Sequence, residues 1–454
     1  MINSHKCVQI SQSALFLLAT LLVVSSGIAG GGDAAVYDLA ACVNRAMEVN
    51  PGVMAADTDV RVAQSQLDQV KAARFLPEFR LKWYFGPSPE ARGDGISGES
   101  DWGSLGLFSR TEVTLVQPLF TFGRLGAAQA AAGGGVEVRR WGSRKTRLDL
   151  EKRVVEAYYG ILLTDHLWEL AQEAREEIGK ARAAVEEKLE EEEGDYTYVD
   201  LARIDRFAYD VEENGNRAEK ERALARSAMR LLLGLTPSDS IGLKDGRLDP
   251  VGVDVLPLET YFDRVDDRPE LVQLRAASRA RSAQARLARA EFYPNVFLGG
   301  QFKHGYAPNR DDQSNPFLKD DFNFTQVGAV LGLQQSLSFG MTSAKKRKAQ
   351  LEVEKIAYQE RLARGVSQLE VERIYRSLKE ARANVAAARR AVRATRRWFI
   401  SARDGFNAGL EEASELLDAV KEYSIIRAKY YAQVYAFNKT WASMQRATGR
   451  SILE

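Results

Sequence analysis

Four segments of the chain alternate apolar and polar side chains with a period of two, which is the pattern of a β-strand with two different faces. The segments are 78–86, 110–117, 296–304 and 326–335. In the first segment the apolar face holds Phe79, Leu81, Trp83 and Phe85, and the polar face holds Glu78, Arg80, Lys82 and Tyr84. Runs of about 9–11 residues are long enough to cross a bilayer as tilted strands. A soluble sheet with one wet face shows the same alternation, so both interpretations stay open at this point.

A second pattern, apolar residues at alternating spacings of three and four, predicts very long helices that pack as coiled coils. One run extends from Val371 to Val392, and another extends from Leu416 to Trp441 with Arg427 as its one polar member. A helix from about 344 to 404 would be roughly 90 Å long at 1.5 Å per residue. A helix of that length does not fit within a compact globular domain, so the pattern predicts an elongated molecule.

The order of predicted elements occurs twice: a polar, Ala-rich helix, two strands, a very long helix, a break at glycine and a second long helix. Short landmarks recur in the same order at a nearly constant offset, as Phe122-Gly123 and Phe339-Gly340 do. A tandem duplication explains this recurrence. The predicted organisation is a signal and processed region at 1–35, a first repeat at 36–235, a linker at 236–260 and a second repeat at 261–450.

Residues 1–35 have the composition of a secretory signal. Lys6 precedes the apolar run 14–24, and small residues follow up to a cleavage site that we expect after Ala29 or Ala35. Beyond this region no run of roughly 18 or more apolar residues occurs, so the sequence predicts an exported protein without a transmembrane helix. Removal of the signal leaves Cys42 alone, which excludes an intrachain disulfide.

Charge and composition exclude two broad classes of function. The 63 basic and 62 acidic residues nearly cancel, which gives no reason to expect a nucleic-acid partner. The three histidines form no metal-binding pattern with cysteines. The glycine run 133–135 lacks the Lys-Ser/Thr of a phosphate-binding loop and is more typical of a loosened helix start. The sequence therefore predicts neither an enzyme nor a bound metal or cofactor.

Four membrane-crossing strands in one chain would require partner chains. An open sheet in lipid leaves two edges of unpaired N–H and C=O groups, and each unpaired group costs several kcal/mol. Single-chain barrels begin at eight strands, whereas three chains of four strands would supply twelve and enclose a lumen. The polar faces would then line water, because a lipid-facing Arg or Lys at the midplane costs roughly 2–4 kcal/mol.

The chain resembles the TolC-type outer-membrane efflux family over about residues 37–450. The matching segments are YDLAACVNRAMEVNP at 37–51, AARFLPEFRL at 72–81, QPLFTFGR at 117–124, RVVEAYYGILL at 153–163, DRPEL at 267–271, AEFYP at 290–294, GLEEASELLDA at 409–419 and ATG at 447–449. The resemblance implies a mixed α/β membrane protein, a homotrimeric channel-tunnel with a twelve-stranded β-barrel in the outer membrane and a long periplasmic α-helical barrel.

The resemblance also implies a role and a set of partners. Substrates would pass from an inner-membrane transporter and a periplasmic adaptor protein through the channel, in efflux or in type I secretion, and outer membrane lipid would surround the barrel. The loops 87–107 and 305–323 would be extracellular. The alternative is a periplasmic adaptor, which also has long hairpins. Two equivalent hairpins and four spanning strands favour the channel, since adaptors have one hairpin and compact β-domains.

The break between the last two helices is the predicted periplasmic aperture. Phe406 and Gly409 match the family's aromatic-x-x-Gly break, although the family more often has Tyr at the first position, which puts a hydroxyl contact there in doubt. Glu415 and Asp418 match acidic positions that face the pore in the family, and three-fold symmetry would make carboxylate rings that favour cations. A capped, solvated helix end explains the same charges. The predicted aperture residues are Phe406, Gly409, Glu411, Glu412, Glu415 and Asp418.

The break between the first two long helices is strongly acidic, and we predict that it forms a tip that contacts the adaptor. Carboxylates at a helix C-terminus oppose the helix dipole and repel one another, which favours a basic partner surface. A solvated, charged helix end is the alternative. The predicted tip residues are Glu190, Glu191, Glu192, Glu193, Gly194 and Asp200.

Two similar stretches, QPLFTFGRL at 117–125 and QSLSFGMTS at 335–343, are predicted to be turns from a strand into a long helix. The predicted turn residues are Pro118, Gly123 and Gly340. Proline suits an element boundary because it cannot donate into a ladder. Ser336 replaces it in the second copy, which puts the need for proline in doubt but leaves the passage from strand to helix.

Overall fold

The structure is a computed structural model that describes residues 35–93, 98–191, 196–313, 315, 317 and 319–453. The signal region predicted at 1–35 therefore lies outside the described residues, apart from its last residue. Helices make up most of the described chain. Among them, none carries an apolar stretch long enough to cross a bilayer.

The elements of the two halves correspond in order, and the long and returning helices also correspond in length. The first half contains β1 (Ala35–Tyr37), α1 (Leu39–Val49), α2 (Pro51–Phe75), β2 (Glu78–Arg92), β3 (Glu99–Phe120), α3 (Arg124–Glu190) and α4 (Tyr198–Leu232). The second half contains β4 (Ile241–Leu243), α5 (Leu258–Phe262), a 3-10 turn (Val265–Asp267), α6 (Pro269–Ala290), β5 (Asn295–Tyr306), β6 (Phe324–Gln334), α7 (Met341–Asn407) and α8 (Ala413–Ala447). Both long helices have 67 residues and both returning helices have 35. The predicted internal duplication is confirmed.

The four predicted strands form one antiparallel sheet in the order β2-β3-β5-β6. Its two faces are those that the alternation predicts. On the apolar face the ring centroids of Trp83 and Phe85 lie 5.2 Å apart. On the polar face the Arg110 guanidinium lies 5.1 Å from the centre of the Tyr84 ring, and Arg110 Nε lies 3.4 Å from Glu112 Oε1. A separate two-stranded parallel sheet pairs β1 with β4.

β2 and β3 are longer than the alternation predicted. They occupy most of the predicted loop 87–107 as a paired hairpin, which includes Pro87 and Pro89. The prolines suggested a loop, but β2 is an edge strand, and an edge strand accepts proline where its N–H position faces away from the partner. The predicted loop 305–323 agrees with the ends of β5 and β6 to within two residues.

The long helices pack through the predicted heptad seams. Leu378 of α7 and Phe437 of α8 are buried in one cluster with apolar residues of α1, α3 and α4. The polar seam residue Arg427 keeps its charge paired, because it donates to Glu173 of α3. Helix α8 therefore packs both on α7 of its own half and on α3 of the other half.

The glycines at 133–135 do not loosen a helix start, because they lie inside α3. A Cβ on Gly134 would lie 2.7 Å from the Cβ of Ala280 on α6, which is closer than real side chains approach. The glycine therefore lets α3 and α6 cross in direct contact. The sequence does not reveal this role, since the partner helix is distant along the chain.

An ion cluster joins the two halves where α3, α6 and α8 meet. The largely buried Arg446 donates to Asp149 at 2.5 Å and to Glu270. Burial raises the pKa of Asp149, but hydrogen bonds from Arg446 and Lys145 outweigh it, so the pKa lies below its usual value. Burial also raises the pKa of Glu270, but the hydrogen bond from Arg446 outweighs it, so this pKa too lies below its usual value. The resulting stabilisation is complete above the carboxyl pKa of the unfolded chain and is lost as the pH falls through the lowered pKa.

Candidate functional sites at the hairpin tips and the strand–helix turns

The break between α7 and α8 is a tight glycine turn. Gly409 has a φ of +72°, which L side chains rarely adopt, and its N–H donates to the carbonyl oxygen of Phe406 at 3.0 Å. The N–H of Leu410 donates to the carbonyl oxygen of Gly405 at 2.9 Å and closes the end of α7. A Cβ on Gly405 would lie 2.4 Å from Glu411 Cγ, so the turn leaves little room there as well. The sequence predicts a role for Gly409 in this turn but gives no prediction for Gly405.

Phe406 lies inside a cluster that joins the two hairpin tips. Its side chain is 3% exposed, and its ring meets the Tyr196 ring edge-on with centroids 6.3 Å apart. We call this the tip cluster; its buried members are Ala174, Ile178, Ala181, Val185, Ile204, Val211, Phe406, Ala413, Leu416, Leu417 and Val420. Within one chain Phe406 therefore packs between the halves instead of facing solvent, and its place at the aperture stays a prediction. Phenylalanine suits this site because it has no hydroxyl that needs a partner.

Two acidic residues of the predicted aperture make local hydrogen bonds at the start of α8. Glu412 immediately precedes the helix, and its Oε2 accepts from Ser414 Oγ at 3.0 Å. Glu415 is half-buried, and its Oε1 accepts from Trp398 Nε1 of α7 at 2.7 Å. The second bond spans the hairpin, so Glu415 helps to set the approach of α8 to α7.

The acidic charge of this tip is not neutralised locally. Glu411 and Asp418 are exposed. Within the described ranges neither residue forms an ion pair, and the same holds for Glu412 and Glu415, while Arg403 near the end of α7 pairs with its neighbour Asp404 at 3.3 Å. Uncompensated carboxylates at a helix N-terminus are favoured by the dipole, and they also supply the charge that a cation-selective ring needs.

The acidic run of the first tip is described only in part. Glu190 is the last residue of α3, and Glu191 follows it with helical backbone angles. The predicted tip residues Glu192, Glu193 and Gly194 lie outside the described residues. A contact with an adaptor at this run stays a prediction.

Asp200 caps the start of α4. Its Oδ2 accepts from the backbone N–H of Thr197 at 3.0 Å and from the Thr197 hydroxyl at 2.8 Å. Beside it, Tyr198 and Val199 are 81% and 60% exposed, and neither is among the tip residues predicted from the sequence. The sequence does contain the signal, since Thr197 to Asp200 is a Ser/Thr-x-x-acid helix start, which places residues 198 and 199 in the first turn.

Both predicted turns lead from a strand into a long helix through a glycine of positive φ. Gly123 (φ +82°) and Gly340 (φ +78°) immediately precede α3 and α7, and an added Cβ would meet no atom within 4 Å at either one. Backbone conformation, and not space, therefore requires glycine. Pro118 lies where the pairing of β3 with β5 shifts register, between Pro118 and Phe120. This position fits the predicted end of regular strand pairing.

Comparison with known proteins identifies the family. The sequence profile of a family described as outer membrane efflux protein matches residues 42–235 and 265–450, which is most of the chain. The chain belongs to the outer membrane efflux protein family. Its fold is similar to that of CusC, with a TM-score of 0.73 at 18% identity over 92% of this chain and 93% of CusC. CmeC of Campylobacter jejuni has a TM-score of 0.73 at 16% identity, over 90% of this chain and 85% of CmeC.

One curated relative of this outer membrane efflux protein is matched over a shorter range. The fusaric acid resistance protein FusA of Burkholderia cepacia is 28% identical over 251 residues, which is 54% of this chain and 44% of the relative. The match thus spans less than half of that protein's length. Similarity in fold extends further, since VceC of Vibrio cholerae has a TM-score of 0.71 at 16% identity over 91% of this chain and 96% of VceC.

These comparisons confirm several predictions from the sequence. The resemblance to TolC-type efflux proteins is confirmed by the family match. The fold class, a mixed α/β chain with internal duplication and the fold of outer-membrane channel proteins, is confirmed by the similar structures. The protein is an outer-membrane protein with a periplasmic helical extension, and it is not an enzyme. The adaptor alternative is not favoured, because the matched family is that of outer membrane efflux proteins.

Proposed function

We propose that this efflux protein is the outer-membrane channel of a tripartite system and that three copies assemble to form it. The sheet carries the proposal: in the described chain β2 and β6 each have one partner strand, and the other edge of each is free apart from a bridge between Ala91 and Arg310 at the far end of β2. Apolar side chains such as Leu81, Val327 and Leu333 are exposed along one face. Free edges are costly in lipid, and a large exposed apolar face is costly in water. Closing twelve strands from three copies removes the free edges, and lipid around the closed barrel covers the apolar face.

The exposed side of α7 supports assembly through the helices as well. Leu351, Tyr358, Leu362 and Leu369 are each more than half exposed, and their heptad-like spacing places them along one face. A stripe of this kind is typical of a helix that packs on another chain. In the proposed trimer the stripe lies against the neighbouring subunit and closes the helical barrel.

We further propose that the two hairpin tips have different tasks at the periplasmic end. The α7–α8 tips surround the aperture, where Glu411, Glu412, Glu415 and Asp418 supply the negative charge. The α3–α4 tips contact the adaptor, which passes substrate from the inner-membrane transporter; exposed Tyr198 beside the acidic end of α3 supports this role. Residues 36–235 and 261–450 are the two repeats of this arrangement, and 236–260 is their linker.

The substrate proposal rests on the curated relative. Its name, fusaric acid resistance protein, directs the first test to small toxic organic acids. Loss of this gene should then lower the concentration of fusaric acid that stops growth, and expression of the wild-type chain should restore it. If loss of the gene left sensitivity to fusaric acid unchanged, this substrate class would be contradicted. The proposal of a channel would not be affected, because the next experiment tests it separately.

The trimeric channel is tested with protein purified in detergent. We expect gel electrophoresis to show a trimer that dissociates on heating, and planar bilayers to show steady ion conductance. Leu362→Glu should prevent trimers, because it places a charge in the proposed helix interface. Gln368→Glu is the matched control, since it adds the same charge at an exposed polar position on another face of α7. A stable monomer that inserts no channel would refute the proposal.

A further inference from the structure

Described residues between β5 and β6 fold back onto the β2–β3 hairpin. The pairing of β3 with β5 begins at Ser109, which is opposite Tyr306. The earlier residues of β3, from Glu99 to Phe108, and their partners in β2 therefore project beyond the rest of the sheet. The described residues 307–313 and 319–323 contain the contacts with this projection. We call these two stretches together the mouth segment.

The strand register identifies the face that the mouth segment covers. Tyr84 and Arg110 contact each other on the polar face. Residues two apart along a strand share a face, so Ser88 and Gly106, which are paired, lie on that polar face too. Gly305 is paired with Arg110 and belongs to the same face. These positions are the ones that the mouth segment contacts.

The contacts are close and polar. Ser88 is fully buried; its Oγ donates to Asn309 Oδ1 at 2.8 Å, and Asn309 Nδ2 donates to the Ser88 carbonyl oxygen at 3.0 Å. A Cβ on Gly106 would lie 2.2 Å from Asn309 Cγ. A Cβ on Gly305 would lie 2.4 Å from the carbonyl oxygen of Phe322. Two glycines on the polar face therefore leave the space that the mouth segment fills.

Further contacts fix both the beginning and the end of the mouth segment. Arg310 Nη1 donates to the Pro89 carbonyl oxygen at 2.9 Å, and the Arg310 guanidinium lies 4.4 Å from the centre of the Phe322 ring. Asp311 accepts from Arg92 Nη1 at 3.1 Å, and its second oxygen accepts from the N–H of Gly93 at 3.1 Å. Several hydrogen bonds at the end of β2 thus hold the mouth segment against the polar face of the sheet.

We infer that the mouth segment narrows the extracellular exit of the channel by covering the lumen face of each subunit. This inference rests on the proposed trimer, in which the polar faces line the lumen. The helices leave the sheet at the opposite ends of the strands, so the projecting hairpin lies at the outer end. The three-fold axis would bring three mouth segments towards one another, and the exit would be narrower than the barrel below it.

Labelling of a cysteine inside the barrel measures the width of the exit. Gln301 lies on the polar face of β5, opposite Thr114 and below the mouth segment, and the native Cys42 is buried. Intact cells carrying Gln301→Cys are treated with a small impermeant maleimide or with one that carries a long polyethylene glycol chain. We expect the small reagent to react at least about tenfold faster, because only it passes a narrowed mouth. Equal rates for the two reagents would overturn the inference.

The second part of the experiment releases the mouth segment from β2. Asn309→Ala with Arg310→Ala removes hydrogen bonds to β2, and the large reagent should then approach the rate of the small one. Lys319→Ala, an exposed position of the same segment, is the matched control and should keep the exclusion. If the large reagent still reacts much more slowly than the small one in the double variant, the inference is overturned. If the double variant fails to reach the membrane, Asp311→Asn replaces it and should give a partial increase.

The small reagent separates failure of the inference from failure of the proposed channel. It should label Gln301→Cys at the same rate in every folded variant. No labelling by the small reagent would mean that the polar face of β5 does not line an open lumen, which refutes the proposed trimer and the inference together. Labelling by both reagents at equal rates refutes the narrowed mouth alone.

Discussion

The two hairpin tips are copies of one element, yet their corresponding carboxylates make different bonds. Asp200 and Glu415 each occupy the third position of a returning helix. Asp200 accepts from Thr197 and stabilises the start of its own helix. Glu415 accepts from Trp398 and connects its helix to the incoming one. The same backbone position thus serves a helix cap in the first tip and a contact across the hairpin in the second.

This difference shows what the duplication preserved and what it left free to change. The lengths of the long and returning helices, and the glycine before each long helix, are the same in both halves. The exposed side chains of the tips differ, since Tyr198 at the first position of α4 is exposed whereas Ala413 at the first position of α8 is buried. The tip cluster packs the two together, so different tasks are compatible with one rigid end.

The largest effect is expected where the tips are joined. Phe406→Ala should lower the free energy of unfolding by about 3–5 kcal/mol, because it removes a buried ring and leaves a cavity in the tip cluster. Thermal unfolding of the detergent-solubilised protein measures this, and limited proteolysis should show faster cleavage at both tips. Leu410→Ala, an exposed residue of the same turn, is the control. Cleavage that increases at the second tip alone would show that the tips are independent.

Much of the frame could be predicted from the sequence because it depends on local signals. Strand alternation, heptad spacing and the two Phe-Gly turns each report a backbone state within a few residues. Contacts between distant elements could not be predicted from these local signals. The burial of Phe406 depends on Tyr196 of the other half, and the close crossing at Gly134 depends on Ala280. The hairpin extension was missed because Pro87 and Pro89 suggest a loop unless the strand is known to be an edge.

The next effect compares the two strand-to-helix turns. Gly123→Ala and Gly340→Ala should each lower the free energy of unfolding by about 1–2 kcal/mol, since both glycines have positive φ and neither lacks space. Gly179→Ala, in the interior of α3 and equally free of neighbours, is the matched control and should raise stability by about 0.5–1 kcal/mol. Urea unfolding measures all three. A clearly larger loss of unfolding free energy at one turn would mean that the two halves do not depend equally on a glycine of positive φ.

A smaller effect separates the two corresponding carboxylates. Asp200→Ala should cost about 1 kcal/mol through loss of the helix cap and leave ion selectivity unchanged. Glu415→Ala combined with Asp418→Ala should reduce cation selectivity in planar bilayers, because the aperture loses negative charge. Stability and selectivity are measured on both variants. If Asp200→Ala altered selectivity as strongly, the two tips would share the aperture.

The smallest effect on stability is expected at the acidic end of α3, where function and stability should change in opposite directions. Glu190→Gln with Glu191→Gln removes two charges that oppose the helix dipole, so the free energy of unfolding should rise slightly, by less than about 0.5 kcal/mol. The same variant should bind the adaptor more weakly and with less dependence on salt, because the proposed basic partner surface loses its counter-charges. Glu212→Gln with Glu213→Gln removes two exposed carboxylates from the middle of α4 and is the matched control. Unchanged adaptor binding in the first variant would leave these carboxylates as a solvated helix end and move the expected contact to Tyr198 and Val199.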